Sequence, residues 1–161
     1  NLSPAQLLKK GYVGRLLEII REHGLEPSFF QFEITETVAP EYKEEVYEAV
    51  EVFVKDGIGL CMDDFGSGYA NLNAVLKLPF QCIKMDRSML NGIRQHKVAG
   101  EFYRNIVTIL RQQGYAIVAE GVEEQEEVEL LEAWGVDMIQ GYYFSRPLPV
   151  EEFLKKIREA G

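Results

Sequence analysis

The chain has little of what a thiol or imidazole metal site needs. Two cysteines and two histidines occur in 161 residues, and none falls at zinc-ligand spacing. Cys61 and Cys82 lie in apolar runs, with no disulfide framework, which makes a reducing cytoplasm the simpler expectation. Long apolar runs are also missing: none reaches the ~18 residues of a membrane span, so no membrane contact is expected from this segment. Basic charge is scarce, with 17 Lys and Arg against 26 Asp and Glu and a formal charge of −9. That balance excludes the basic footprint of a non-specific DNA or RNA binder. Linkers, internal repeats and low-complexity tracts are absent, so there is no boundary at which to divide the chain. What is present is ample apolar side chain, 47% of residues, which excludes disorder as the main state. The length accommodates one domain.

The apolar pattern alternates between two periods. Short β-rich runs fall at Phe29 to Thr35, Ile58 to Met62, Gln81 to Met85, Tyr115 to Ala119 and Asp137 to Ile139. Between them lie amphipathic helical stretches: Val46, Val50, Phe53 and Val54; Phe102, Ile106, Ile109 and Leu110; Val128, Leu131 and Trp134; and Val150, Phe153, Leu154 and Ile157. The first helix has Ser3 as N-cap, Pro4 in its first turn and Gly24 as its stop, with Gly11 and Gly14 predicting a break into two pieces. Strands alternating with helices predict an α/β fold with a parallel sheet. The crossover rule leaves either an open doubly wound sheet or part of a (β/α)8 barrel.

Each run that reads as a strand ends in polar chemistry. The first ends in Glu33, Thr35 and Glu36, the second in Asp63 and Asp64, and the third in Lys84 and Asp86. The fourth ends in Glu120, with Glu123 just after, and the fifth in Gln140. In a parallel barrel all strand C-termini open on one face, so these groups converge. Carboxylates gathered in one pocket repel and need protons or cations to coexist. A set of carboxylates and amides suits hard divalent ions such as Mg²⁺, Mn²⁺ or Ca²⁺. Two such ions are suited to clamping a phosphodiester for in-line attack, and Lys84 to positioning water or phosphate charge.

Each feature also has a plainer explanation. Asp63-Asp64-Phe65-Gly66 is the sort of sequence that forms a turn or helix cap. Asp64-Phe65-Gly66 spells the kinase metal triplet, but no His-Arg-Asp loop or upstream glycine loop accompanies it, so a kinase is excluded. The acidic run Glu123 to Glu129 predicts a solvated helix face with Glu123 set apart, Glu33 and Glu36 fit caps of the next helix, and Lys84 fits a rim salt bridge.

Taken in order, these residues resemble the EAL domain, the bacterial phosphodiesterase of cyclic di-GMP. The resemblance rests on Asn1-Leu2-Ser3 with Gln6-Leu7, Glu33-Ile34-Thr35-Glu36, Asp63 through Tyr69, and Leu78-Pro79 with Ile83-Lys84-Met85-Asp86. It is completed by Ala119-Glu120-Gly121-Val122-Glu123 and Gln140 through Pro147. It implies a TIM-like (β/α)8 barrel with one antiparallel strand, a homodimer, and hydrolysis of cyclic di-GMP to linear pGpG with two divalent ions, Mg²⁺ or Mn²⁺. By the same resemblance Asn1, Glu33 and Asp63 hold the first metal, and Asp63 and Asp64 serve the second. Lys84 holds the attacking water, Glu120 acts as general base or metal-water ligand, and Gln140 completes the shell. Glu36 and Glu123 anchor the Asp64 to Leu72 loop, in which Ser67 replaces the usual Thr and keeps its hydroxyl. Ala70 and Asn71 stand where two serines are usual.

One departure stands out: the Glu-Ala-Leu motif that names the family, and with it a metal-ligand Glu, is absent. A barrel of this type occupies ~200–250 residues. The expectation is therefore that residues 1–161 are the C-terminal two-thirds of a single EAL domain, incomplete in its N-terminal strands, with ~40–90 residues preceding Asn1. Three functions follow: a cyclic di-GMP phosphodiesterase in the intact domain, a catalytically inactive cyclic di-GMP receptor, or an inactive fragment as the chain stands.

Overall fold

The computed structural model describes residues 1–35, 44–68, 75 and 77–160. Five strands form one sheet: β1 (Gln31–Thr35), β2 (Gly59–Phe65), β3 (Cys82–Met85), β4 (Ala116–Glu120) and β5 (Met138–Gln140). The described helices are α1 (Pro4–Leu7), α2 (Tyr12–Glu22), α3 (Glu44–Lys55), α4 (Arg87–Gln95), α5 (Lys97–Gln112), α6 (Gln125–Ala133) and α7 (Val150–Ala160). A 3-10 turn at Pro27–Phe29 leads into β1.

Strand order decides between the two architectures left open by the sequence. The order is β1-β2-β3-β4-β5, every neighbour parallel. A doubly wound sheet reverses direction at a switch point. This one never reverses, so right-handed crossovers place its helices on one face and leave the other as the inner wall of a partial barrel. The predicted strand positions agree with the structure to within a few residues. The main difference is β2, which runs on to Phe65 and takes Asp63 and Asp64 into the sheet and away from the expected turn.

Side chains alternate across each strand. Ile34, Leu60, Met62, Ile83, Met85, Ile117 and Ala119 point to the helices and are almost fully buried. There they meet Val46, Val50 and Phe53 of α3, Leu90 of α4, Tyr103, Val107 and Leu110 of α5, and Val128 and Leu131 of α6. Phe53 stacks edge-on against Phe32 with ring centroids 4.9 Å apart. The first helical stretch breaks as its glycines predict, with Gly11 at φ 77° opening α2. Ser3 caps α1 as predicted: its Oγ accepts from the Gln6 amide at 3.3 Å, and the Gln6 side chain accepts from the Ser3 amide at 2.9 Å.

Three predicted faces differ. In α5 the buried stripe is Tyr103, Val107 and Leu110, while Phe102 and Ile109 are exposed. Both sets fit helical spacing, and the sheet selects the one that carries Tyr103. The α7 stripe of Val150, Phe153, Leu154 and Ile157 is also exposed. Third, the acidic run of α6 is not uniformly solvated. Glu127 is buried. It accepts from the Glu123 and Glu124 amides at 2.9 and 3.1 Å, and from Arg94 Nε of α4 at 2.6 Å. Burial opposes its charge, but these amide bonds and Arg94 hold its carboxyl below the usual glutamate range.

Two stability measurements test this packing. Phe53→Ala is expected to cost about 3–5 kcal/mol in denaturant unfolding, the range for emptying a buried aromatic site. Glu127→Gln is expected to cost about 1–3 kcal/mol at pH 7. A lowered folded pKa stabilises above the unfolded value near 4.5 and is lost as pH falls through the folded one. The gap between the two proteins should therefore be full at neutral pH and shrink progressively below about 4.5; a gap unchanged at pH 3 would contradict the assignment.

Candidate metal centre

Strand tilt, more than register, assembles the centre. Glu33 is the register partner of Cys61, and Lys84 that of Val118. Yet Lys84 Nζ lies 2.9 Å from Glu33 Oε1, 2.8 Å from Asp63 Oδ1 and 2.7 Å from Glu120 Oε1. Strands that cross a barrel at an angle bring side chains two residues out of register to one height. Carboxylates from β1, β2 and β4 thus converge on one ammonium from β3. Its side chain is 9% exposed. Burial opposes its charge, but hydrogen bonds to Asp63, Glu120 and Glu33 outweigh that and raise its pKa above an ordinary lysine's.

Asp64 needs a second device. In a regular strand, successive residues face opposite sides, so one of two adjacent aspartates would enter the apolar core. Here β2 and β3 pair Met62 with Ile83 and Phe65 with Met85, so two aspartates oppose the single Lys84. This β-bulge places Asp64 at φ 58°, the only described non-glycine residue with positive φ. Both side chains then serve the same mouth: oxygen atoms of Asp63, Asp64 and Glu120 lie within 4.8 Å of one another. Burial, then the charge of Asp63, then that of Asp86, raise the Asp64 pKa. Burial raises that of Glu120, opposed by Lys84.

Asn1 joins from outside the sheet. The Leu2 amide donates to the Glu33 carbonyl at 2.8 Å, laying the first residues along β1. The Asn1 amide, oriented to suit its neighbours, donates to Glu33 Oε2 at 3.0 Å and Asp63 Oδ2 at 3.2 Å. Gln140 is the register partner of Glu120 and stands exposed at the rim. It lines a concavity of about 870 Å³ together with Glu33, Lys84, Tyr142 and Arg146. Two close backbone approaches fix this side of the mouth. Gly121, at φ 70°, makes room for the Arg87 side chain, and a Cβ at Gly141 would stand 2.0 Å from the Val122 carbonyl oxygen.

The structure therefore brings Asn1, Glu33, Asp63, Asp64, Lys84, Glu120 and Gln140 to one place. Ser67 sits in the turn that follows β2, its amide donating to the Asp64 carbonyl at 3.1 Å, with its side chain exposed. The partner shown for Glu123 is Arg87, at 2.7 Å. Glu36, Ala70 and Asn71 lie outside the described residues. Sequence reasoning passed over Arg87 and Arg94. They lie seven residues apart on α4 and clamp Glu123, in the turn after Glu120, and Glu127 of α6. Their spacing, two helical turns, was the available signal.

Four carboxylates and an amide around a single ammonium form an oxygen-rich, over-acidic donor set, which fits a hard divalent cation. No described helix is long and apolar enough to cross a membrane.

The fold has counterparts among known proteins. Cyclic di-GMP phosphodiesterase RocR of Pseudomonas aeruginosa is 34% identical over 157 residues, covering 96% of this chain and 39% of the relative. The crystal structure of the EAL domain of Mycobacterium smegmatis DcpA superposes with a TM-score of 0.90 at 29% identity, covering 99% of this chain and 71% of that one. Klebsiella pneumoniae BlrP1, solved with manganese and cyclic di-GMP, gives 0.79 at 29% identity, covering 87% and 36%. The chain spans between 19% and 45% of the length of the curated relatives it matches. The family model of the EAL domain matches residues 1–147, and it is to this family that the chain belongs.

Proposed function

We propose that the domain containing these residues hydrolyses cyclic di-GMP to linear pGpG. The observation that carries this is the convergence of Glu33, Asp63 and Glu120 on Lys84, with Asp64 added by the bulge. Asn1, Glu33 and Asp63 would hold one divalent ion and Asp63 and Asp64 a second, Mg²⁺ or Mn²⁺. Such ions supply a hydroxide-like nucleophile near neutral pH and neutralise phosphate charge. The chain's own residues do the rest. Lys84 orients the attacking water through its ammonium, Glu120 takes up its proton, and Gln140 fixes the water and phosphate at the rim. The concavity beside Gln140, with Tyr142 stacked under Arg146 at 4.6 Å, offers aromatic and cationic surface to a guanine nucleotide. Glu36 and Glu123 are proposed to secure the loop after Asp64, with Ser67 in its turn; the Glu123 pair with Arg87 supports an anchoring role.

We further infer that residues 1–161 are the C-terminal part of one EAL domain. The exposed apolar stripe of α7 and the position of β1 and β5 at the two ends of the described sheet support this. A homodimer is the proposed assembly. Its candidate face is the apolar groove of about 600 Å³ lined by Phe65, Met89, Phe102, Ile106 and Ile109, next to the Gly66–Gly68 turn.

The experiment is an assay of cyclic di-GMP turnover by the intact protein, with pGpG resolved by chromatography. Turnover is expected with Mg²⁺ or Mn²⁺ and none after EDTA; tight metal-independent binding without cleavage would establish the receptor instead. Lys84→Met should lower kcat by about 10²-fold or more with little change in KM, since an oriented water matters most in the transition state. Asp63→Asn should abolish turnover and reduce Mn²⁺ binding by calorimetry, and an unaltered Mn²⁺ isotherm would remove Asp63 from the ligand set.

A further inference from the structure

One feature of the inner wall has no part in this chemistry. Cys61 of β2 and Cys82 of β3 are direct register partners on adjacent parallel strands. Both are free and buried. They form a small cluster of their own with Val118, separate from the main core, and Ala116 packs against it. The cluster is the layer of the inner wall below the candidate metal centre. Asp63 and Lys84, which touch at 2.8 Å, follow these two cysteines by two residues on the same face of the same strands.

We propose that Cys61 and Cys82 are a reversible dithiol–disulfide pair whose oxidation weakens the centre above it. The consequence for the centre rests on the reading under Proposed function; the thiol chemistry does not. Neighbouring strands stand ~4.8 Å apart, within the ~4.4–6.8 Å range of Cα separation that a disulfide spans. No chain movement beyond the sheet is needed to close the bond. Closure nevertheless requires Cβ atoms at ~3.8 Å, so it draws β2 and β3 together or turns both side chains. The next residues on that face are Asp63 and Lys84, and the bulge that presents Asp64 begins there.

Hydrogen peroxide is a sufficient oxidant, small enough to enter beside Val118, which lines the inner concavity as well as the thiol cluster. One thiol attacks a peroxide oxygen, giving a sulfenic acid and water. The second thiol displaces the sulfenic hydroxyl, forming the S–S bond and a second water. Two thiols lose two protons and two electrons, and one peroxide becomes two waters. A small dithiol reductant such as dithiothreitol, entering by the same path, reverses the step by exchange.

The test treats the reduced protein with a few equivalents of peroxide, then denatures it in N-ethylmaleimide for intact-mass and peptide analysis. In the reduced protein the Cys61 and Cys82 peptides should each carry a label. In the oxidised protein neither should, and the two should appear as one linked peptide about 2 Da lighter than their sum, which dithiothreitol separates. Labels on both peptides after oxidation, or mass gains of about 16 Da on either without a linked peptide, would overturn the proposal. Mn²⁺ affinity by calorimetry should fall about 10-fold or more in the disulfide form, return on reduction, and be indifferent to peroxide in Cys82→Ala. Equal affinity in both forms would remove the regulatory role. A reduced protein that neither binds Mn²⁺ nor turns over cyclic di-GMP would instead sink the functional reading while the linked peptide still stood.

Discussion

The structure turns on a single electrostatic constraint: carboxylates held together in a partly dry pocket must be neutralised. Lys84 does this within the chain, donating to three acidic partners at 2.7 to 2.9 Å. Its placement is costly, because a buried ammonium is stable only when its proton donors are all used. The three partners come from three strands, so the ion cluster also ties β1, β2 and β4 to β3 at their C-terminal ends. Negative charge still exceeds positive there once Asp64 is added. The surplus makes the site a receptor for cations rather than a closed salt-bridge network. Burial first, and the neighbouring acidic charge after it, raise the pKa values of Asp64 and Glu120.

The backbone is bent to serve this cluster in two places. The bulge in β2 costs a left-handed residue at Asp64, which an aspartate tolerates better than most side chains. On the other side of the mouth, the turns after β4 and β5 interlock through Gly121, Val122 and Gly141. The Tyr143 amide donates to the Val122 carbonyl at 3.0 Å. Arg87 and Arg94 hold the first of these turns from α4, the helix that begins two residues after Lys84's strand ends. The helix that follows the ammonium therefore also secures the loop that follows Glu120. Positions that look separate in sequence share one mechanical frame.

Much of the site was legible in the sequence because strand ends in a parallel barrel share one face. Polar residues closing successive apolar runs were therefore bound to meet. The convergence of Asp63 and Asp64 was legible only as a motif. Period-two alternation alone would have sent one of them into the core, and no single residue announces the bulge. The α5 face was misplaced in part: of Phe102, Ile106, Ile109 and Leu110, Leu110 is buried while Phe102 and Ile109 are exposed, because Tyr103 and Val107 form an equally good helical stripe with Leu110 and only the packed sheet distinguishes the two. Glu127 was hidden in a run of like residues. Its burial follows from the Arg94 clamp, a contact between groups 33 residues apart that periodicity does not encode.

The acidity of the chain acquires a different meaning from its location. An overall charge of −9 opposes an anionic dinucleotide at long range, yet screening confines that opposition to roughly 8 Å at physiological salt. Inside that distance the local ions dominate. A site that concentrates carboxylates recruits divalent cations, and those cations invert the potential that a phosphate meets. Under the proposed phosphodiesterase function the two charges act in series. The acidic surface discourages long nucleic acids, and the site, once it holds cations, favours a compact anion that reaches them.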